Sequence, residues 1–243
     1  MYKIGELSDL TKVKPSTIRF YEKCGFLENV ERLENGYRIY NDHHKYQVII
    51  CSLVFGGFVN KNLRKSSMKL IFSAQKWDIE AYKKAAFDYK KLILQDIERT
   101  HKAIDFALNI SFLNTTGEDM YTKKQAAQII GTTEEAIRNW ERNGLIPKPS
   151  PYQKRYYSKQ TIHRMHVIRL LLDIGYSIMT IKMFLEKVDL GLLTDAKMIL
   201  TDPKDRFDLQ SRADYYFKAL LKLTETADSL YSLHKEMENL QTL

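Results

Sequence analysis

The feature that most constrains this chain is an internal repeat at an offset of 119 residues. The segment that begins at Met1 reappears in outline at Met120, and the same offset aligns residues 18–22 with residues 137–141 without a gap. Self-similarity at a fixed offset is typical of a duplicated structural module. The chain has 243 residues, so we expect at least two compact units built on one plan.

Each copy opens with a pattern typical of two short helices joined by a tight turn. The second helices are predicted to begin at Pro15 and after Thr133, because proline suits a first helical turn and a threonine hydroxyl caps its free N–H groups. They are predicted to end at Gly25 and Gly144, since glycine readily adopts the left-handed conformation that stops a helix. The pattern is compatible with a helix-turn-helix, whose second helix enters the major groove of DNA, and also with a generic helical hairpin.

A hairpin signal after the second helix favours the DNA-binding interpretation. In the first copy, Asn35-Gly36 marks the tip and alternating residues continue to Tyr40, which is a strong short-range signal for a hairpin. The second copy has Tyr152 to Tyr157 at the corresponding place, with a shorter loop and without the Asn-Gly tip. We therefore predict a winged helix-turn-helix in each copy, with a second wing of different geometry.

A further helix and then a long amphipathic helix follow each wing. The further helices are predicted over Tyr46 to Phe55 and Ile162 to Leu172. Apolar residues then recur at steps of three and four along residues 73–112 and 211–243, a pattern typical of coiled coils and also of core-facing helices. Because both stretches follow similar modules, we predict that they pair as an antiparallel coiled coil.

The predicted fold is therefore mainly α. In chain order, we predict a first winged helix-turn-helix domain (1–72), a long coiled-coil helix (73–112), a linker (113–119), a second winged helix-turn-helix domain (120–188), a connector (189–210) and a C-terminal coiled-coil helix (211–243).

Composition narrows the classes of function. The net charge of +8 favours a polyanionic partner. The apolar run Val48 to Val59 is too short to span a bilayer and the first residues lack a secretory signal, so we expect a cytoplasmic protein. Cys24 and Cys51 lack the spacing of a zinc site, and His163 and His166 lack a carboxylate or thiolate partner, so no metal site is expected. Phosphate loops and nucleophile elbows are absent from the sequence, so we expect neither an enzyme nor a bound cofactor.

Three motifs of the first copy resemble the DNA-binding domain of MerR-family regulators. They are Tyr-x-Ile-Gly-Glu-Leu from Tyr2, residues 17–22, and Asn35 to Tyr40, in the family's order. Residues 1–72 therefore resemble that domain closely, and residues 120–188 resemble it more loosely.

The resemblance implies a fold and a function. Family members are homodimers with one such domain per subunit followed by a long dimerisation helix, and this chain resembles two subunits fused. A monomeric pseudo-dimer is favoured over a homodimer in which two chains exchange their long helices. The resemblance implies binding to a near-palindromic promoter site, bending and untwisting of the promoter spacer, and an indirect effect on RNA polymerase. Activation and repression are equally compatible with the sequence.

The second copy departs from the family pattern in its recognition helix. Asn139 replaces the first aromatic residue of a pair, and Glu134 and Glu135 place negative charge at the start of the helix. Carboxylates stabilise a helix N-terminus, but they also repel phosphate.

The residues expected to contact DNA lie in the two second helices and the two wings. In the first copy they are Lys14, Ser16, Thr17, Arg19, Phe20, Tyr21, Tyr37 and Arg38. In the second copy they are Thr133, Arg138, Asn139, Trp140, Arg142, Lys154, Arg155 and Tyr156. The arginines of the helices suit a phosphate or a guanine edge, the wing residues suit phosphates, and core packing is an equal alternative for Tyr21 and Trp140.

The regulatory input is the least constrained part of the function. Metal-sensing relatives carry cysteines near the end of the long helix and this chain has none there, which disfavours metal sensing. A small organic effector, such as a drug, is the remaining regulatory input. The candidate residues for binding it are aromatic, although packing in the core is the more common role of such residues. They are Trp77, Tyr82, Tyr89, Phe106 and Tyr216. The alternatives to a regulator are a drug-sequestering protein and a DNA-bending or excisionase-like architectural protein.

Overall fold

The computed structural model describes residues 1–57, 60–109, 119–147, 156–201 and 215–241. Over these ranges the chain forms eleven helices and four short strands, so the prediction of a mainly α fold is confirmed. The chain divides into two compact units, one of residues 1–95 and 220–243 and the other of residues 96–219. We call them unit 1 and unit 2.

Unit 1 opens with the predicted helix-turn-helix and wing. Its elements are α1 (Ile4–Thr11), α2 (Pro15–Lys23), β1 (Glu31–Arg32), β2 (Arg38–Ile39), α3 (Asp42–Gly57), α4 (Lys61–Gln75), the first part of α5 (Ile79–Leu108) and, from residue 220, the last helix α11 (Tyr216–Gln241). The core of this module is formed by apolar residues from α1, α2, α3 and α4, among them Leu7, Ile18, Val48, Ile50, Leu63 and Leu70, which are all fully buried.

The ends of α2 follow from local sequence signals. Pro15 occupies the first helical turn, where its missing N–H group costs nothing. Gly25 has a φ of 70°, and the N–H of Phe26 donates to the carbonyl of Tyr21 at 3.0 Å. This is the Schellman arrangement, in which a left-handed glycine lets the chain turn back on the last carbonyls of the helix. The predicted start and end of the helix are confirmed.

The first wing is the antiparallel pair β1 and β2, in which Arg32 faces Arg38. Gly36 has a φ of 81° at the tip, and the N–H of Leu33 donates to the carbonyl of Tyr37 at 2.8 Å. Only glycine adopts such a φ without steric cost, which explains the Asn-Gly signal. The predicted hairpin is confirmed.

Unit 2 repeats the module. Its elements are β3 (Met120–Thr122), α6 (Lys123–Ile130), α7 (Glu134–Arg142), β4 (Tyr156–Ser158), α8 (Lys159–Ile174), α9 (Ile178–Asp189) and α10 (Leu193–Thr201), together with the last part of α5. As predicted, α7 begins after Thr133, whose hydroxyl accepts from the N–H of Ala136 at 3.1 Å, and ends before the left-handed Gly144. Of the predicted second wing, residues 152–155 lie outside the described ranges, and Tyr156 and Tyr157 lie in β4.

The two copies share a strand pairing that closes each module. In unit 2, β3 pairs with β4, and Tyr121 faces Tyr157. In unit 1, Tyr2 and Tyr40 form the corresponding antiparallel bridge, with N–H to carbonyl distances of 2.6 and 2.9 Å. The first residues of each module are thereby joined to the residue that follows its wing.

The long helices α5 and α11 (Tyr216–Gln241) contact each other within unit 1. Lys83 forms an ion pair with Glu238 at 3.5 Å, and Lys90 forms one with Asp228 at 2.5 Å. The residue later in α5, Lys90, pairs with the residue earlier in α11, Asp228, so these segments run antiparallel. The pairing direction agrees with the predicted coiled coil, whose interdigitated side-chain packing stays a prediction.

Across the residues whose positions are given, no helix is long and apolar enough to cross a membrane.

Candidate nucleic-acid interface

In unit 1, the recognition helix α2 and the wing line one open groove. Its walls carry three cationic side chains and an aromatic one, together with the tip of the wing, and the lining residues are Lys3, Ile4, Arg19, Asn35, Gly36, Tyr37 and Arg38. Arg19 is exposed and Tyr37 is 71% exposed. A groove with several cations and a free phenol suits the phosphates of a nucleic acid.

Arg38 has a second role, which the sequence did not reveal. Its Nε donates to both carboxylate oxygens of Glu22, at 2.9 and 2.7 Å, and both side chains are half-buried. The ion pair connects strand β2 of the wing to the recognition helix α2. It therefore fixes the position of the wing relative to the helix, and a phosphate contact by Arg38 stays a prediction.

The other predicted residues of the first module differ in exposure. Lys14 and Ser16 are exposed, Thr17 is half-buried and Phe20 is 56% exposed. Tyr21 is buried and its ring stacks on Phe55 of α3, with 5.6 Å between ring centroids. Burial raises the pKa of Tyr21 to about 12, so the phenol stays neutral. Tyr21 thus anchors the recognition helix to α3, which was one of its two predicted roles.

In unit 2, the aromatic residue of α7 is also a core residue. Trp140 is only 2% exposed, as its alignment with Tyr21 would suggest. The side-chain oxygen of Asn139 accepts from the amide of Asn143 at 2.8 Å, and Tyr156 is 39% exposed. The predicted wing residues Lys154 and Arg155 lie outside the described ranges.

Both arginines on the exposed face of α7 are engaged by one carboxylate. Glu135 accepts from Arg138 at 2.8 Å through one oxygen and from Arg142 at 2.9 Å through the other. Glu134 lies 3.9 Å from Arg138. The hydrogen bond from Arg138 lowers the pKa of Glu135, and the same bond raises the pKa of Arg138. We call this arrangement the Glu135 fork.

A buried ion pair connects α7 to α6. Lys123 Nζ lies 2.9 Å from Glu141 Oε2, and the two side chains are 10% and 9% exposed. The hydroxyl of Tyr157 donates to the other oxygen of Glu141 at 2.5 Å. The recognition helix is thereby attached to α6 and to β4. Glu22, which occupies the equivalent place in the first module, is attached to the first wing through Arg38.

The aromatic effector candidates divide into core and partly exposed residues. Tyr82, Tyr89 and Tyr216 are 0%, 1% and 2% exposed, so their aromatic rings belong to the packed core. Phe106 is 41% exposed, and the half-buried Trp77 stacks on His43 with 3.6 Å between ring centroids. A ligand could reach the three tyrosines only by displacing core packing, so the effector hypothesis now depends on Trp77 and Phe106.

In the part of the chain that the structure covers, no cluster of three or more histidine, cysteine, aspartate or glutamate residues could hold a metal ion.

The two units define a class of protein, namely one with two helix-turn-helix modules on a single chain, of which the first carries a described wing. The model for the MerR family regulatory protein matches residues 3–40, and that for the MerR HTH family regulatory protein matches residues 121–188. Two regions of the chain thus match models of the MerR family, and each of them contains a helix-turn-helix.

Two characterised relatives are similar to part of the chain. The mercuric resistance operon regulatory protein of Bacillus cereus is 39% identical over 67 residues, which are 27% of this chain and 51% of the relative. The HTH-type transcriptional regulator ZntR of Escherichia coli (strain K12) is 48% identical over 42 residues, which are 17% of this chain and 30% of the relative. The similarity thus spans about half the length of the first relative and less of the second. No solved structure matches the chain significantly.

Proposed function

We propose that this protein is a DNA-binding transcription regulator that binds a near-palindromic promoter site. The observation that carries the proposal is the groove of unit 1, in which Lys3, Arg19 and Arg38 face one opening beside a helix-turn-helix. A cationic groove of this kind binds phosphates, and the adjoining helix presents side chains to base edges.

In this proposal Arg19 makes the central contact of the first half-site. It is exposed on α2, and among the described residues no carboxylate lies within ion-pair distance of its guanidinium. Its donors are therefore available for a phosphate, or for both acceptors of a guanine edge. Tyr37 at the tip of the wing takes a phosphate beside it.

The second module provides the second half-site contact from the same chain, so a single chain would occupy a site that a symmetric dimer otherwise needs two chains to fill. Binding at the promoter changes the geometry of its spacer and acts on RNA polymerase indirectly. We place the protein in the cytoplasm, where promoter DNA is found in bacteria.

The test is to sequence the genomic fragments that the purified protein retains at about 0.15 M salt, where non-specific phosphate binding is weak. Imperfect palindromes within promoter spacers are the expected result. Specific sites outside promoters would support an architectural or excisionase-like protein instead, and retention of drugs without any specific site would support a sequestering protein.

A pair of matched variants then tests the contact assignment. Arg19→Ala is expected to weaken binding to the most enriched fragment by about 5- to 150-fold, the usual effect of losing one good guanine contact. Arg99→Ala removes an equally charged side chain from α5, where Arg99 is 70% exposed, and should leave the affinity unchanged. An R19A protein that binds as tightly as R99A would refute the role given to Arg19.

A further inference from the structure

The two recognition helices differ in whether a carboxylate on the same exposed face binds their arginines. Arg138 and Arg142 of α7 are 50% and 64% exposed, and both donate to Glu135, which is 61% exposed. The Glu135 fork therefore lies on the surface that the helix would turn toward DNA.

The equivalent positions of α2 carry no such carboxylate. The offset of the repeat aligns Ser16 with Glu135, Arg19 with Arg138, and Lys23 with Arg142. Residues 14–23 contain three cationic residues and one carboxylate, whereas residues 133–142 contain two cationic residues and three carboxylates. Two of the three cations are retained in the second copy, as Arg138 and Arg142, and Glu135 accepts hydrogen bonds from both.

We propose that Glu135 is a specificity-determining residue that holds Arg138 and Arg142 away from DNA phosphates, so that the first module dominates binding and the two half-sites are read unequally. This inference rests on the proposed function. A guanidinium that donates to a carboxylate is held on that side with part of its charge neutralised, and a phosphate that approaches it also meets the negative charge of the carboxylate. The second module consequently gains fewer phosphate contacts.

The number of phosphate contacts can be measured through salt. Each contact adds about 0.9 to the slope of the logarithm of affinity against the logarithm of salt concentration. If the loss of Glu135 frees one or two arginines, the advantage of the variant over the wild type grows by about three- to twelvefold as salt falls from about 0.2 M to about 0.05 M.

The experiment compares three variants of the full chain on a duplex of random sequence. Glu135→Ser introduces into the second module the serine that the first module has at the equivalent position, Ser16. This variant should bind more tightly than the wild type, with the steeper salt dependence given above. Ser16→Glu makes the reciprocal change and should weaken binding and flatten the slope. Glu225→Ser, an exposed site on α11, changes the net charge as E135S does and should leave the slope unchanged. Circular dichroism of each variant verifies that the helical content is retained.

Hydroxyl-radical footprinting on the most enriched genomic fragment gives a second readout. The wild type should protect one half-site more strongly than the other, and E135S should make the protection more nearly equal. Equal protection by the wild type would overturn the inference, as would a slope for E135S that matches that of E225S. Weaker binding by E135S would also overturn it, because Glu135 would then itself contact DNA, for instance a cytosine amino group.

The two proposals fail in different ways. If the wild type binds the fragment specifically but E135S behaves like the control, the inference about Glu135 is wrong and the regulator remains. If the wild type binds neither the random duplex nor any genomic fragment, the proposed function fails and the inference fails with it.

Discussion

Replacing Lys123 with methionine would remove the ammonium group that pairs with the buried carboxylate of Glu141 in unit 2. The two groups lie 2.9 Å apart and their side chains are 10% and 9% exposed, so little water can replace the ammonium. Breaking a buried ion pair at one partner typically costs 3–5 kcal/mol. Because the hydroxyl of Tyr157 continues to donate to Glu141, we expect the lower end, about 3 kcal/mol.

Urea unfolding measures this cost in the unit concerned. The chain has two tryptophans, Trp77 in unit 1 and Trp140 in unit 2. In a Trp77→Phe background the fluorescence of Trp140, which is 2% exposed, reports the unfolding of unit 2 alone. With a slope of about 1.5 kcal/mol per molar urea, Lys123→Met should lower the midpoint by about 2 M.

Two further variants separate the buried charge from a general effect of the substitution. Lys124→Met changes the neighbouring exposed lysine and should cost less than about 0.5 kcal/mol. Adding Glu141→Gln to K123M replaces the buried negative charge by a neutral amide and should restore about 1 kcal/mol or more. If K123M lowers the free energy of unfolding by no more than K124M does, the ion pair makes no net contribution to stability and the reasoning is refuted.

Three other perturbations follow from unit 1. Gly36→Ala places a side chain at a φ of 81° and should cost about 1 kcal/mol in chemical denaturation and weaken DNA binding through the wing. Burial lowers the pKa of His44 below its ordinary 6.5, and its Nδ1 accepts from the N–H of Asn41, so the unfolded state binds protons more readily. The contribution of His44 to the free energy of unfolding should therefore be fully present above pH 6.5 and decrease as the pH falls below that value. In urea unfolding at different pH values, His44→Gln should lack this part of the pH dependence. Tyr82→Phe removes the donor to the carbonyl of Leu230 and should lower the urea midpoint by an amount equivalent to about 1 kcal/mol; an unchanged midpoint would contradict that bond.

The parts of the fold that could be predicted are those whose causes are local. Pro15, Gly25 and Asn35-Gly36 each act on their own backbone, so the start and end of α2 and the tip of the wing were predicted from the residues themselves. The repeat then extended these predictions to α7, which begins after Thr133 as expected.

The features that were missed depend on contacts between distant residues. Glu22 and Arg38 are 16 positions apart, and Lys123 and Glu141 are 18 apart. Neither pair has a sequence spacing that identifies it, because it forms only once the strand or helix has docked on the recognition helix. Alignment of the two copies offers one signal, since Glu22 and Glu141 occupy equivalent places and a carboxylate retained on a cationic surface suggests a structural partner.

The aromatic residues show the same limit for the effector site. Tyr82, Tyr89 and Tyr216 occur at helical spacing, and such spacing is produced equally by a ligand pocket and by a packed core. The structure places all three in the core. Only tertiary packing distinguishes the two cases.

The duplication within one chain also changes what a single mutation can do. In a symmetric dimer of identical chains, one codon specifies both recognition helices, so every substitution alters both halves of the target together. Here Ser16 and Glu135 are specified by separate codons of one gene. On the proposed function, selection can therefore change the preference of one helix while the other keeps its contact, and the DNA target can lose its symmetry one half at a time.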